Sequence, residues 1–487
     1  MKDVIKCDED VAYKDVVVIG NGPSGIVLSF ILSGNWPYYN GGSHPDEMLL
    51  ARLQSVPHTA SLLEQDLQFL SQGLEGRSRN PVSVLVDSLI HPSNGQTSND
   101  SSLLSWKRHP EKLIDHVVIG KGKPGGCWQN LDGNLTTVSA SSWMELPGLS
   151  FHEWENIANN ANIKCPCRDN RLPPKRVKIK QVAKYYRDYI EHMRLSKNFR
   201  NFSCVTSVKP IANIDMYSFL LPNDVSKGSH FWEVKGFDTI RKKYFCYVCR
   251  NVVLANGTYD DRNLLNIPEE LDHPDWIFHD LKQFRSAVVD LKKSHSADVD
   301  PVLIVGSGLT AADAVLTCSQ FGLPVLHVFN TFSELNDTKL PKNMYPDYDL
   351  VYRMMKSSEL DRHYTPLFQY TVSAISQSAK GKRVVTKSPQ GQDKEYAVSL
   401  VAIMIGCLPD LTFLSTDFDE GKKLGITENE RIHCRRNPIR ISPWSYEVTN
   451  SPAGLYAMGP LVGDNVIRVI PGGAVAIASH LFKDGVK

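Results

Sequence analysis

One pattern occurs twice in this chain and restricts its fold more than any other feature. It is a run of β-branched residues, then a glycine-rich turn, then a segment with helical periodicity. The first copy follows residues 15–19 and the second follows residues 301–305. The turns have the spacings GxGxxG and GxGxxA, and their key residues are Gly20, Gly22, Pro23, Ser24 and Gly25 in the first copy and Gly306, Gly308 and Ala311 in the second. This pattern is typical of a Rossmann unit.

The glycines of such a turn have separate roles. Gly20 permits the tight turn, Gly22 lets a pyrophosphate approach the backbone, and Gly25 lets the helix pack closely on the sheet. The free N–H groups at the start of the helix then face the anion. A turn taken alone also fits a strand–helix connection without a ligand. Two turns in one chain favour two dinucleotides that exchange electrons, so we predict FAD and NADPH as cofactors and leave NADH open.

Apolar runs of strand length alternate with helix-period segments through much of the chain, which favours an α/β fold with parallel sheets. We predict two Rossmann-like dinucleotide-binding domains, in which the FAD domain is discontinuous and the NAD(P)H domain is inserted into it. The predicted segments are 1–265 for the first part of the FAD domain, 266–400 for the NAD(P)H domain and 401–487 for the C-terminal part of the FAD domain. The first part contains an insertion at about residues 37–115.

Two further segments resemble elements of flavoproteins that bind two nucleotides. Asn256 and Gly257 end an apolar run, in a way similar to the segment where the chain leaves the FAD domain. Gly125, Gly126 and Trp128 resemble the G-G-x-W element of flavin-dependent monooxygenases. The resemblance implies that the two glycines bring the backbone close to FAD and that the tryptophan packs beside the flavin. A buried structural tryptophan is the alternative at position 128.

A third segment, near the end of the chain, resembles the last strand and G-D turn of the same flavoproteins. Its turn residues are Gly463 and Asp464. The resemblance implies that the aspartate accepts a hydrogen bond from the ribityl chain of the flavin. A plain turn or helix cap is the alternative for this residue.

Longer runs resemble the oxidative stress-induced growth inhibitor family of flavin-monooxygenase-like proteins. They are residues 18–26, 70–78, 300–315, 455–465 and 472–474. The resemblance covers nearly the whole chain from about residue 15. It implies an NADPH-dependent monooxygenase that acts in the regulation of cell growth, cell death or late cytokinesis, with association with the midbody during division.

The chain departs from the usual pattern at both nucleotide units. The strand at residues 117–121 ends without the acidic residue that usually binds the ribose hydroxyls. Asn330 and Thr331 stand where family members tend to carry arginines suited to a 2′-phosphate, and Lys339 and Lys342 are the nearest substitutes. An arginine–phosphate contact contributes about 1.5–3 kcal/mol, so the preference for NADPH over NADH stays open.

These departures favour a rival hypothesis, in which a catalytically impaired flavoprotein scaffold acts as a regulatory binding protein. No catalytic side chain is assigned. His279 resembles one residue of the F-x-G-x-x-x-H segment of flavin monooxygenases, with a surface or loop histidine as the alternative.

Composition argues against several other classes of function. The net charge of +1 provides no field that would attract nucleic acid. No apolar run reaches the roughly 20 residues needed to span a bilayer, and the first 15 residues lack the apolar core of a signal peptide. The cysteine pair 165/167 has a CxC spacing that is poor for zinc, and the pair 246/249 lies in an apparent strand, so we predict no metal. We expect a cytoplasmic protein with no nucleic-acid partner and no transmembrane segment. Its substrate, small molecule or protein, and its regulatory protein partners stay open.

Overall fold

The chain divides into two compact units in a computed structural model. Unit 1 is Met1–Asp260 with Pro409–Lys487, and unit 2 is Asp261–Leu408. The structure describes residues 10–93, 101–158, 175–212, 214–221, 230–294, 299–331, 342, 344–356, 363–379 and 381–483. Across these residues, no α-helix has both the length and the apolar character needed to cross a membrane.

The described elements are strands, α-helices and short 3₁₀ helices. The strands are β1 (Asp10–Ile19), β2 (Asn35–Tyr39), β3 (Leu104–Arg108), β4 (His116–Ile119), β5 (Phe199–Arg200), β6 (Ser203–Pro210), β7 (Trp232–Asp238), β8 (Lys243–Leu254), β9 (Asp261–Arg262), β10 (Ile277–Phe278), β11 (Val302–Val305), β12 (Val325–Phe329), β13 (Tyr364–Phe368), β14 (Thr371–Ser378), β15 (Gly381–Lys387), β16 (Asp393–Ala397), β17 (Val401–Ile403), β18 (Cys407–Leu408) and β19 (Leu455–Ala457). The α-helices are α1 (Pro23–Leu32), α2 (Glu47–Ser55), α3 (Leu67–Ser71), α4 (Pro81–Ile90), α5 (Phe151–Ala158), α6 (Ile179–His192), α7 (Leu281–Ser294), α8 (Leu309–Gln320), α9 (Pro346–Lys356) and α10 (Ile470–Lys483).

Unit 1 is built on a sheet in the order β5-β4-β1-β8-β7-β6, with β19 paired to the end of β8. Strand β1 lies parallel to β4 and to β8. Residues 16–19 are all buried, so both faces of this part of the sheet are covered, which explains their continuous apolar run. Helix α10 packs against α1 and α4. The C-terminal segment of unit 1 thus completes the sheet and the helical layer that its N-terminal segment begins.

An insertion follows α1 in unit 1. Strands β2 and β3 pair antiparallel at its two ends, and α2, α3 and α4 lie between them in the chain. Asp46 and Asp66 cap α2 and α3, since each carboxylate accepts a hydrogen bond from a backbone N–H in the first helical turn. The packing of α4 on α10 brings this insertion to the C-terminal segment of the unit.

Unit 2 contains a second parallel sheet, in the order β10-β17-β11-β12-β13. A separate antiparallel sheet is formed by β14, β15 and β16. The chain enters the unit through β9 and leaves it through β18, and these two strands pair with each other. That pairing extends the unit to Asp261 and Leu408, beyond the limits of 266 and 400 expected from the sequence. Which dinucleotide each unit binds stays a prediction.

Candidate functional site

The first glycine turn lies at the carboxyl end of β1. Gly20 has a φ of +117°, and its N–H donates a hydrogen bond to the carbonyl of Ile119 in β4 at 2.7 Å. A Cβ at this position would lie 2.3 Å from the carbonyl oxygen of Ala255, just after β8. The fold itself therefore requires glycine at position 20, because β1, β4 and β8 meet there.

Gly22 is different, because the fold leaves room for a side chain at this position. Its φ of −75° is ordinary, and a Cβ would have no neighbour nearer than the Cα of Gly126, at 3.9 Å. Nothing in the surrounding protein requires glycine at this position. A ligand that approaches the backbone closely would explain why the position has no side chain. The close approach of Gly126 also shows that the turn and the G-G-x-W segment come together.

The start of α1 has unsatisfied hydrogen-bond donors. Gly22 occupies the N-cap position without a side-chain hydrogen bond. The N–H groups of Ser24 and Gly25 have no acceptor in the part of the chain that the structure describes, and both residues are buried. A buried unsatisfied donor costs about 1–3 kcal/mol. Donors arranged in this way at a helix N-terminus fit an anion such as a pyrophosphate.

Trp128 lies in a 3₁₀ helix, Gly126–Gln129, that follows the turn after β4. The N–H of Gly125 donates to the carbonyl of Asn21 at 2.9 Å, which fastens this segment to the first glycine turn. The indole of Trp128 is half-buried and contacts the ring of Tyr186 edge-on at 6.1 Å. One edge of the tryptophan is thus held by the protein and another is left accessible.

Asn256 follows β8 and lies against the same turn. Its Nδ2 donates to the carbonyl of Asp410 at 3.1 Å, while its Oδ1 is buried and has no partner among the described residues. Gly257, the next residue, has a φ of +73° and open space around it. The free oxygen of Asn256 fits a hydroxyl or N–H donor of a ligand in the turn.

Asp464 is buried, and its carboxylate accepts four hydrogen bonds from side chains. The donors are Ser78 Oγ at 2.5 Å, Asn80 Nδ2 at 3.0 Å, Ser83 Oγ at 2.9 Å and the Tyr446 hydroxyl at 2.8 Å. Burial raises the pKa of this carboxyl, and the four donors act in the opposite direction. Each carboxylate oxygen accepts two of these bonds, so a ligand hydroxyl would have to displace one of them. In the structure Asp464 fastens the insertion to the G-D turn, and its contact with a flavin stays a prediction.

The second glycine turn lies between β11 and α8 and has the same construction. Gly306 has a φ of +135°, and a Cβ there would lie 2.3 Å from the carbonyl oxygen of Met404. Gly308 is the N-cap of α8 and forms no side-chain hydrogen bond. In the described ranges the N–H groups of Thr310 and Ala311 have no acceptor. Unit 2 therefore has a second site suited to a pyrophosphate.

His327 holds this second turn and was not identified from the sequence. It lies within β12, is buried, and its Nε2 is 2.7 Å from the carbonyl oxygen of Gly306. A carbonyl can only accept, so Nε2 carries the proton and Nδ1 accepts from the hydroxyl of Tyr364 at 2.6 Å. Burial lowers the pKa of His327 to about 4, so the ring is neutral at pH 7. The sequence signal that could have identified His327 is a polar residue inside an otherwise apolar strand.

Lowering the pH from 7 to 5 is expected to destabilise unit 2 by about 2 kcal/mol through His327. The unfolded ring has a pKa near 6.5 and the folded ring a pKa of about 4. The unfolded state therefore binds more protons in this window, and stability falls as the pH falls. Hydrogen exchange of the β11 and β12 amides at both pH values measures the effect. In His327→Gln the pH dependence should shrink, and an unchanged dependence in that variant would contradict the assignment.

At the end of β4, where a ribose-binding acid was expected, the chain has a lysine. Two carboxylates from residues far away in the sequence lie beside it. Lys121 Nζ lies 3.0 Å from Asp260 Oδ1 and 3.1 Å from Asp410 Oδ2. Residues 117–121 contain no acid, and both carboxylates come from other segments of unit 1. They are paired with the lysine in this structure.

The end of β12 carries small polar groups. Thr331 Oγ1 lies 3.3 Å from Ser307 Oγ in the second turn, and Asn330 is exposed. Lys342 lies 3.8 Å from a carboxylate oxygen of Asp349, and Lys339 lies outside the described residues. Among the residues described here, no arginine follows β12 directly, so the structure adds no group that would select a 2′-phosphate.

Two weaker candidates have structural explanations. His279 Nε2 lies 2.9 Å from Glu270 Oε1, and both side chains are nearly buried in unit 2. Cys246 and Cys249 are buried in β8, where burial raises the pKa of the Cys249 thiol, whereas the pair 165/167 lies outside the described residues. Over the described ranges, no group of three or more His, Cys, Asp or Glu residues could hold a metal ion.

Solved structures with a similar fold include a disulfide reductase and two ornithine hydroxylases. The chain resembles bacillithiol disulfide reductase from Bacillus cereus, with a TM-score of 0.55 at 15% identity over 97% of this chain and 100% of that chain. It also resembles ornithine hydroxylase from Pseudomonas aeruginosa (TM-score 0.53, 13% identity, 97% and 99% coverage). Ornithine N-hydroxylase from Kutzneria sp. 744, described with reduced FAD, NADP⁺ and L-ornithine, has a TM-score of 0.54 at 12% identity, with 97% and 99% coverage. The predicted fold class, α/β with two Rossmann-like dinucleotide-binding domains, is confirmed.

Closer relatives share one name. The chain is 40% identical to human oxidative stress-induced growth inhibitor 2, over 96% of this chain and 92% of that protein. It is 37% identical to mouse oxidative stress-induced growth inhibitor 1, over 96% and 95%. A homolog from Caenorhabditis elegans is 26% identical over 96% and 94%. No protein-family model matches the chain. At these identities over nearly the full length, the chain belongs to the oxidative stress-induced growth inhibitor family.

Proposed function

We propose that this protein is an FAD- and NAD(P)H-dependent oxidoreductase of the monooxygenase type. One observation carries the proposal: each unit has a glycine turn followed by a helix whose second and third N–H groups lack acceptors among the described residues. Two dinucleotide sites in one chain serve the transfer of electrons from one cofactor to the other. The names of the reductases and hydroxylases that share the fold support this assignment.

In unit 1 the proposed cofactor is FAD. The N–H groups of Ser24 and Gly25 would donate to its pyrophosphate, and the missing side chain of Gly22 would allow the phosphates to approach. Oδ1 of Asn256 would accept a hydrogen bond from a cofactor hydroxyl or N–H. The accessible edge of Trp128 would pack against the cofactor. When bound, the flavin supplies two-electron redox chemistry and reactivity toward O₂.

In unit 2 the proposed cofactor is NADPH or NADH. The N–H groups of Thr310 and Ala311 would donate to its pyrophosphate beside Gly308. His327 would keep the Gly306 carbonyl turned away from the phosphates, because it already donates to that oxygen. Neither Asn330 nor the residues before it supply a cation for a 2′-phosphate, so we propose that both nicotinamide cofactors are accepted.

The names of the relatives support a role in growth. Relatives from human and mouse are both called growth inhibitors, and both match nearly the full length of this chain. We therefore place the proposed oxidoreductase in the regulation of cell growth, with cell death and cytokinesis as further processes implied by the family resemblance. A growth assay in cells that express either the wild-type chain or Gly308→Val would show whether the second turn is needed for this role.

A second candidate function is a flavoprotein scaffold that binds regulatory partners without turnover. Two observations favour it. Asp464 has all four acceptor positions filled by protein donors. Lys121 is paired with two carboxylates near the expected ribose position. In both arrangements, protein groups satisfy a charged residue that a cofactor would otherwise contact. Such self-sufficient contacts are not needed in an enzyme that always holds its cofactor.

The visible spectrum of the purified protein separates these functions. We expect flavin bands at about 370 and 450 nm that bleach when NADPH or NADH is added without oxygen. The matched control is Gly308→Val, whose backbone φ of −83° permits a side chain. This variant should keep the bands and lose the bleaching. Bands that persist in the wild-type chain would favour the scaffold, and a protein that takes up no FAD would overturn both functions.

A further inference from the structure

Two arginines converge on one indole in unit 1. The guanidinium carbons of Arg77 and Arg468 lie 4.6 and 4.7 Å from the ring centroid of Trp143. Arg77 belongs to the insertion, whereas Arg468 lies in the 3₁₀ helix Ile467–Val469 directly before α10. Both guanidinium groups therefore lie against the same indole ring.

Arg468 has one unsatisfied nitrogen. Its side chain is 0% exposed. Nε and Nη2 donate to the two carboxylate oxygens of Asp87 at 2.6 and 2.9 Å. Nη1 is buried and has no hydrogen-bond partner in the described residues. A buried charged donor without an acceptor carries a free-energy cost. A ligand oxygen that accepts a hydrogen bond from Nη1 would remove that cost.

Arg77 adds a second positive charge without a matching carboxylate. The residue is exposed and forms no hydrogen bond or ion pair with the residues that the structure describes. Partial burial and repulsion from Arg468 both lower its pKa, and attraction by Asp87 acts the other way. Two guanidinium groups therefore share one carboxylate, which leaves one positive charge uncompensated.

The backbone that carries Arg77 is held in place. Ser78 Oγ donates to Asp464, and the N–H of Asn80 donates to Ser78 Oγ at 2.9 Å. Asn80 also donates to Asp464 through its side chain. The segment is thus anchored from the residue next to Arg77, and such anchoring reduces the entropy lost when a ligand binds.

We propose that Arg77 and Arg468 form, with Trp143, a binding site for the oxyanion of a small molecule, either a carboxylate or a phosphate. Nη1 of Arg468 donates from the buried side and Arg77 closes the site from the exposed side. Guanidinium groups bind both kinds of oxyanion through charge-assisted hydrogen bonds. The site goes beyond the proposed function, because it uses no residue of either glycine turn and exists equally in an enzyme or a scaffold.

Modification with phenylglyoxal tests the site in the full chain, because this reagent attacks accessible guanidinium groups. Arg79 is exposed, lies two residues from Arg77 and serves as an internal control. We expect inorganic phosphate or acetate, at constant ionic strength, to slow the modification of Arg77 several-fold and to leave Arg79 unchanged, as measured by mass spectrometry. The ion that protects Arg77 identifies the oxyanion. Equal rates with and without both ions would overturn the proposal.

Calorimetric titration of matched variants provides a second readout. We expect Arg77→Gln to weaken the binding of the protecting ion about ten-fold or more, whereas Arg79→Gln should bind it as the wild-type chain does. Because Arg77 is exposed, its replacement leaves the core unchanged. Any phosphate that binds at the glycine turns would bind equally in both variants. The comparison therefore tests this site whether or not the turns bind cofactors as proposed. Equal affinities of the two variants would count against the site.

Discussion

Asp87→Ala is expected to lower the free energy of unfolding of unit 1 by about 3–5 kcal/mol. Asp87 lies in α4 and binds two nitrogens of the buried Arg468. Removing the carboxylate leaves a fully buried guanidinium without its counter-ion, and the protein must then bury an uncompensated charge or open a path for water. Urea denaturation followed by tryptophan fluorescence measures the loss.

The double variant Asp87→Leu with Arg468→Met is the control for this result. Burial raises the pKa of Asp87 although Arg468 acts in the opposite direction, as expected for a charge that is costly to bury. Replacing both partners by apolar residues of similar size is therefore expected to restore most of the stability. A double variant as unstable as Asp87→Ala would show that packing, and not charge, determines the effect.

Gly22→Ala is expected to weaken FAD binding about 10- to 100-fold while the stability of the cofactor-free protein stays within about 0.5 kcal/mol of the wild type. The backbone at Gly22 is ordinary, and a Cβ would have no protein neighbour nearer than 3.9 Å. In the proposed site the methyl group would occupy the space that the pyrophosphate needs. Flavin fluorescence during titration with FAD measures affinity, and thermal melting measures stability.

Gly20→Ala should behave in the opposite way. Its positive φ and the 2.3 Å approach to the carbonyl of Ala255 make the alanine incompatible with the folded turn. We expect a loss of about 1–3 kcal/mol even without cofactor. If Gly22→Ala bound FAD as tightly as the wild-type chain, the proposed flavin site in unit 1 would be wrong.

The parts of the fold that local patterns determine were predictable. Residues 16–19 and 302–305 form strands buried on both faces, so they show continuous apolar runs instead of alternation. Each run ends in a glycine with a positive φ, and the pattern is visible without knowledge of the rest of the chain. The same patterns predicted that a second unit interrupts the first, and the comparison with solved structures confirms that fold class.

The partners of the buried polar groups were not predictable. Asp464 was interpreted through its resemblance to a ribityl-binding residue, and nothing near it in the sequence points to Ser78 or Ser83, which are more than 380 positions away. The pairing of Asp87 with Arg468 has the same separation. Such contacts depend on how α4 packs against α10, which is a property of the assembled unit and not of a local pattern.

The pairing of β19 with β8, and the packing of α10 on α1, have a consequence for protein synthesis. The ribosome releases residues 10–260 long before residues 455–483 are synthesised. Until then, the end of β8 lacks its partner β19, and the face of α1 that packs on α10 is exposed. Unit 2 is continuous and is complete earlier in translation. The first Rossmann unit to begin is thus the last to finish, and until then it exposes the kind of apolar surface and unpaired strand edge that make folding intermediates prone to aggregation.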